Sequence, residues 1–368
     1  MSLPPKTKYG ELSWAESFGF VTTVLTLPVA LLWNVVTTAY APFNKDRSVK
    51  RVAGDSALRY AISRLSVPQL QWAFGTTRSV YEQWTKANKL TSTIDELGQD
   101  ARLMWIGPKR LDRVVLFSHG GAFSLPASDF GLSFWRYVQL ELAKQNIEIG
   151  FALFSYSLYP TATFPTPLKQ AGLALEFLLA AGVKPQNLQI VGDSAGANLI
   201  LQLFSHMLHP RADMPEIHLA APLRGAYLIS PWVNLTADSK SHTENDGRDF
   251  IGKETLRGWG ALILADVPEA DSAFAEPVRA PEWWFKGVDR LVERVLVTAG
   301  GAECLRDDIV VVGEALKKHH AKTEIVVQAG GLHEDMFLDF LVNESKLGSL
   351  TPLTVAWLAA GFTEDTSA

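Results

Sequence analysis

A serine lies between two glycines in Gly192-Asp193-Ser194-Ala195-Gly196, after the apolar run 188–191 and before helix-type sequence over 197–208. Glycines two before and two after a serine let a strand turn sharply into a helix and lift the hydroxyl clear of the chain. A helix starting there directs unpaired N–H groups at the serine and favours negative charge beside it. The implied chemistry is nucleophilic. A weak alcohol nucleophile needs a base, an acid to orient the base, and N–H donors for the developing oxyanion. The five-residue pattern is short, so its partners must decide.

The base is sought after Ser194, at the end of a later strand. His242 sits in a polar irregular stretch, and His319 and His320 lie in the Lys-rich helix end KKHH. His333 follows the strand-like run 324–328 through Ala329-Gly330-Gly331-Leu332 and precedes a helical run from Asp335, which makes it the candidate base. The orienting acid is expected after the preceding strand, 295–298, where Glu303, Asp307 and Asp308 compete. Glu303 is nearest the strand end and flanked by apolar residues; Asp307 and Asp308 read as first-turn helix acids. Glu303 is chosen, with Asp307 as the alternative. His119-Gly120-Gly121-Ala122, at the end of the β-rich run 113–118, offers backbone N–H groups for an oxyanion hole. The expected donors are Gly120, Gly121 and Ala195. His119 is then structural, since as a metal ligand it has no partner at ligand spacing.

The elements that must position these residues alternate. Strand-like runs at 113–118, 149–155, 188–191, 225–229, 295–298 and 324–328 are interleaved with helical stretches such as 168–181. This predicts a mostly parallel α/β sheet flanked by helices. The sheet is expected to begin near Ala101. Residues 51–90 read as helices that cover the site, broken at Val67-Pro68. Residues 231–288, irregular and rich in Trp, Pro and Asp, read as an insertion. The expected division is a hydrophobic segment 1–50 and a catalytic domain 51–368.

Of 368 residues, 47% are apolar and 20% charged, enough for a large core. A net charge of −5 argues against a broad nucleic-acid surface. A single cysteine, Cys304, excludes an internal disulfide and a thiolate-rich metal site. No cofactor or metal is expected.

Residues 17–44 carry no Asp, Glu, Lys, Arg or His, and the run 18–40 is long enough to cross a bilayer. Residues 17–44 are therefore expected to bring the protein to membranes, the endoplasmic reticulum being the candidate compartment. The competing reading is a pair of buried helices broken at Pro28. Lys6 and Lys8 before the run, and Lys45, Arg47, Lys50 and Arg51 after it, favour a cytosolic catalytic domain by charge balance. The N-x-S/T triplets at Asn234 and Asn343 point the other way.

These motifs resemble the hormone-sensitive lipase family of α/β-hydrolases, the group that includes arylacetamide deacetylase, over residues 114–340. The family's HGGG appears as His119-Gly120-Gly121-Ala122, and its GDSAG is unchanged at 192–196. Its Y-R-L-A-P loop is similar to Tyr156-Ser157-Leu158-Tyr159-Pro160, and its S-P-W-x-D-L-T to residues 230–236. Its D-P-L-R-D-E motif, whose first acid is catalytic, aligns with residues 303–308 and supports Glu303. Ala122 in place of a third glycine narrows that side of the hole. The resemblance implies a serine ester hydrolase acting on a small or medium-sized ester through Ser194, Glu303 and His333, with N-terminal helices capping the site. Acyl transfer to another alcohol would use the same residues. A non-catalytic ligand receptor is the rival from another class; the related gibberellin receptor lacks the histidine that is present here as His333.

Overall fold

The apolar runs become strands because a parallel strand covered on both faces must be apolar throughout. The computed structural model describes residues 8–45 and 47–363. Its eight strands are β1 (Ile94–Gly98), β2 (Ala101–Trp105), β3 (Val114–Ser118), β4 (Gly150–Ser155), β5 (Leu188–Asp193), β6 (Gly225–Ile229), β7 (Val295–Gly300) and β8 (Thr323–Gln328). They form one sheet in the order β1-β2-β4-β3-β5-β6-β7-β8. The β1–β2 and β2–β4 pairs are antiparallel; every pair from β4 to β8 is parallel. The fold is thus the expected α/β-hydrolase type. The sheet starts at Ile94 rather than near Ala101: β1 is half-exposed and polar, so it lacks the apolar signal of the buried strands.

Among the described residues thirteen α-helices accompany the sheet: α1 (Trp14–Thr38), α2 (Val49–Arg64), α3 (Val67–Phe74), α4 (Thr77–Ala87), α5 (Asp129–Lys144), α6 (Thr166–Ala180), α7 (Ser194–Leu208), α8 (Lys240–Glu244), α9 (Lys253–Leu264), α10 (Ser272–Ala275), α11 (Arg306–His319), α12 (Asp335–Leu341) and α13 (Leu350–Thr363). Side chains alternate along each strand, so one sheet face packs on α6, α7 and α11 and the other on α4, α5 and α13. In β3, Val114 and Leu116 join the first core, Val115 and Phe117 the second. Aromatic rings interlock in the second core: the Trp135 ring stands 5.1 Å from that of Phe117, and Phe134 4.9 Å from Phe337.

Two elements depart from expectation. First, α4 packs on the sheet and reaches the glycine turn through its first residue, Thr77, whose hydroxyl lies 3.2 Å from His119 Nε2. Tyr81 and Trp84 bury against the sheet, and the Tyr81 hydroxyl donates to the Trp105 carbonyl at 2.8 Å. Second, α1 is one 25-residue helix running through Pro28, and none of its residues is buried. It lies along α2, held by Thr26–Tyr60 (2.7 Å) and Ser56–Asn34 (3.2 Å) side-chain bonds, with Gln69 Nε2 donating to the Glu16 carbonyl at 2.6 Å. The buried helix pair broken at Pro28 does not form.

Candidate active site

The C-terminal ends of β3, β5, β6, β7 and β8 bring the candidate residues to one edge of the sheet. Ser194 begins α7 with φ of +49°, directly after β5. The turn is tight because both glycines leave no room. A Cβ on Gly196 would stand 1.9 Å from the Ser118 carbonyl oxygen, and one on Gly192 2.7 Å from the Gly196 backbone. Helix and strands can approach this closely only without side chains there.

His333 and Glu303 meet. His333 Nδ1 lies 3.3 Å from Glu303 Oε1, and both side chains are buried. Glu303 Oε2 accepts from Ser230 Oγ at 2.7 Å and from the Gly300 N–H at 2.6 Å, so the ends of β6 and β7 fix it. Asp307 is elsewhere: it accepts from the Ser241 N–H at 3.0 Å and from Arg306 at 2.8 Å, outside contact with His333. Asp308 accepts from Ser239 Oγ at 2.7 Å and Asn234 Nδ2 at 3.1 Å. The other histidines are also occupied. His242 bonds Ser239 (2.8 Å), His319 the Glu282 carbonyl (2.9 Å) and His320 the Val292 carbonyl (2.8 Å).

Burial alone would push the His333 imidazole down. The hydrogen bond and charge of Glu303, with Asp249 and Asp193 behind, outweigh it and hold His333 above its ordinary value. His119 is the contrast: burial drives it down to about 4, so it is neutral. It stacks on Tyr156 at 4.6 Å, and the Tyr156 hydroxyl donates to the His119 carbonyl at 2.6 Å, which shapes the glycine turn.

That turn corrects one expectation. The Gly120 N–H donates to Asp193 Oδ2 at 2.9 Å and is not directed at a substrate oxygen. Gly121 and Ala122, at φ of +96° and +54°, turn the chain left-handed, and among the described residues neither N–H has a protein acceptor. Ala195 is in the first turn of α7, where N–H groups have no intrahelical partner. The available donors are thus Gly121, Ala122 and Ala195. Sequence reasoning missed this because which N–H a neighbouring carboxylate captures has no local signature.

Three further residues were also missed. Asp249, in the insertion, accepts the His333 N–H at 3.1 Å and the Cys304 N–H at 2.8 Å. Asn245 donates to the Glu303 carbonyl at 2.8 Å. Glu334 Oε1 lies 3.5 Å from His333 Nε2. None of these three carried a signal in the sequence; Ser230, which braces Glu303, did so as part of the S-P-W motif. Asn234 is buried and its amide donates to Asp238 at 2.8 Å, which closes this triplet to glycosylation in the folded chain. Beside the glycine turn lies a small, mostly apolar pocket lined by Phe123, Phe164, Leu235 and Ile263, with Gln202 at its wall.

A family model described as the alpha/beta hydrolase fold matches residues 115–337, and the chain belongs to that family. A Schizosaccharomyces pombe protein named as a steryl acetyl hydrolase, mug81, is 28% identical over 246 residues, 63% of this chain and 62% of its own length. An acetyl-hydrolase of Streptomyces hygroscopicus is 26% identical over 220 residues, 58% of this chain and 65% of its own. The chain thus spans less than two thirds of the length of these relatives. The arylacetamide deacetylase of Bos taurus is 26% identical over 170 residues, 43% of this chain and 39% of its own. The crystal structure of an esterase from the bacterial hormone-sensitive lipase family superposes with a TM-score of 0.63 at 21% identity, covering 85% of this chain and 97% of that one. The hormone-sensitive-lipase-like character read from the motifs is therefore shared by relatives in both sequence and fold.

Proposed function

We propose that the protein is a serine carboxylic ester hydrolase. The observation that carries this is the buried Glu303–His333 contact at the end of the sheet where the strained turn presents Ser194. Ser194 Oγ attacks the ester carbonyl, and His333 Nε2 takes its proton. Glu303 holds Nδ1–H, fixing the tautomer and stabilising the imidazolium. The Gly121, Ala122 and Ala195 N–H groups receive the tetrahedral oxyanion. His333 then protonates the leaving alcohol, and water, activated by the same histidine, releases the acid. The names of the acetyl-hydrolase relatives favour a short acyl group on a small or medium-sized ester. Labelling of Ser194 by a fluorophosphonate probe, lost in Ser194→Ala together with turnover of acyl esters, tests the reading. Ester turnover by Ser194→Ala near the parent level overturns it.

The second part of the reading is membrane association through residues 17–44. α1 is long and apolar enough to span a bilayer. Phe18, Val21, Leu25, Val29, Leu32 and Val36, spaced three and four apart, are exposed on the side away from α2. Trp14, Trp33 and Tyr40 are exposed aromatics suited to the membrane interface. Lys8 and Lys45 flank the stretch within the described residues; Lys6 lies outside them. Sedimentation of the full chain with membranes, released by detergent, is the expected result; full recovery in a detergent-free high-speed supernatant counts against it.

A further inference from the structure

Two carboxyl groups with no part in the reaction above meet beside the triad. Asp193 precedes the nucleophile and Glu334 follows the base. They share a hydrogen bond, which two carboxyl groups can form only if one keeps its proton. The surroundings decide which. Asp193 Oδ2 accepts the Gly120 N–H at 2.9 Å and stands at the positive end of α7, both of which favour its anion. Asp193 Oδ1 is buried and receives no N–H or alcohol among the described residues. Glu334 instead faces Asp193, Glu303 and Asp249, all acidic, with the Tyr156 hydroxyl nearby and His333 as its one basic neighbour. Burial first, then the charge of Asp193, holds Glu334 well above the ordinary carboxylate range. Glu334 therefore carries the proton and donates it to Asp193.

The contact is built rather than incidental. A Cβ on Gly120 would stand 2.3 Å from Asp193 Oδ2 and 2.9 Å from Glu334 Oε1, so the pair closes only over a glycine. Glu334 adopts a left-handed φ of +50°, a conformation that disfavours any residue but glycine. Its N–H donates to Ser230 Oγ at 3.3 Å, and that hydroxyl donates in turn to Glu303. One side chain thus touches the elbow, the oxyanion strand and the base loop, and its Oε1 lies 3.5 Å from the nitrogen that must serve Ser194.

We propose that Glu334 is a positioning residue: as a neutral acid it ties the base loop to the nucleophile elbow and leaves His333 Nε2 to Ser194, and as an anion it captures the histidine. This rests on the hydrolase reading above. Ionised Glu334 would repel Asp193 and break the tie, and its negative charge beside Nε2 favours the tautomer that carries the ring proton on that nitrogen, which removes the lone pair Ser194 needs, so turnover falls on the alkaline side. Glu334→Gln keeps a donor for Asp193 and cannot ionise.

The test is the pH profile of kcat and KM for the full chain on phenyl acetate. Expected is an alkaline fall in the parent that Glu334→Gln abolishes while keeping most of the neutral-pH kcat. Glu334→Ala should lose kcat by about tenfold or more with KM little changed, the scale on which displaced catalytic groups act. An unchanged alkaline limb in Glu334→Gln, or a parent-like kcat in Glu334→Ala, overturns the proposal. Should Glu334→Ala fail to fold, the glutamine variant decides alone. NMR titration of the His333 ring separates this from failure of the hydrolase reading, because it needs no turnover. Two-step titration in the parent and one-step titration in Glu334→Gln support the proposal; one step in both overturns it even if esters are hydrolysed.

Discussion

Asp249 holds the backbone N–H of His333 on one carboxylate oxygen, at 3.1 Å, and that of Cys304 on the other, at 2.8 Å. A single side chain from the insertion thus clamps the base and the residue after the acid, so the insertion is part of the site's frame. Arg59 of α2 donates to the Gly247 and Arg248 carbonyls just before it, which extends the frame to the helix beneath α1.

Asp249→Asn removes one acceptor from this clamp. Turnover is expected to fall by about tenfold or more, the scale on which displaced catalytic groups act. Burial raises Asp249 to about 6, so its contribution to stability is fully present below its unfolded value and is lost as pH rises through about 6. The difference in thermal midpoint between parent and Asp249→Asn should therefore turn against the parent between pH of about 4 and about 6. A pH-independent difference from melting curves would show that Asp249 does not titrate there.

Glu303→Gln leaves His333 without its orienting carboxylate and is expected to lose at least about a hundredfold in turnover, with little change in thermal midpoint. Asp307→Asn, whose partners are Ser241 and Arg306, should keep most activity and lose about 1 kcal/mol of stability. Both are measured side by side for turnover and melting. An inactive Asp307→Asn with an active Glu303→Gln would reassign the acid.

As the proposed base His333 acts only when neutral, and Glu303 heads the influences that raise it. Turnover should rise with pH through a midpoint above the ordinary histidine value. In the residual activity of Glu303→Gln that midpoint should move to lower pH, because a neutral amide no longer favours the imidazolium. A midpoint that stays put, read from kcat/KM against pH, would detach the acid limb from this pair.

Gly196→Ala places a methyl 1.9 Å from the Ser118 carbonyl oxygen, between backbones that cannot part without breaking β3 from α7. A loss of about 3 kcal/mol or more is expected. Gly182→Ala is the control. Gly182 has a φ of +96° but nothing within 4 Å of its missing Cβ, so only backbone strain of about 1 kcal/mol should appear. Equal losses in urea denaturation would mean that the elbow's close approach is not what requires Gly196.

Leu25→Glu with Val29→Glu puts charge on the exposed side of α1, away from Tyr60 and Ser56. Binding to phospholipid vesicles should fall by tenfold or more, since a buried charge costs about 2.5 kcal/mol or more in a bilayer. The thermal midpoint should hold. Vesicle binding equal to the parent's by co-sedimentation would mean that this face does not meet lipid.

Much of the site was legible because its constraints are local. The glycines of residues 192–196 are required by contacts within one strand-turn-helix unit, and the buried strands must be apolar on both faces. The order Ser194, Glu303, His333 follows from three strands whose loops open on one edge of the sheet. The half-exposed β1 lacked that signal, and α4 shared the helical period of α2 and α3 while packing on the sheet.

By itself the sequence determined the strand-turn-helix at Ser194, the buried strands and the choice of His333 as candidate base, each a matter of steric room or hydrophobic pattern over a few neighbouring residues. Only the tertiary structure decided which N–H groups of the turn are free, since Asp193 captures that of Gly120 from 73 residues away. It likewise brought Asp249 to His333 across 84 residues and laid α1 on α2 with its apolar side outward. The reason is physical. Sterics and hydrophobic period act along the chain, whereas the allocation of a hydrogen-bond donor or a buried proton depends on whichever groups the fold brings within about 3 Å.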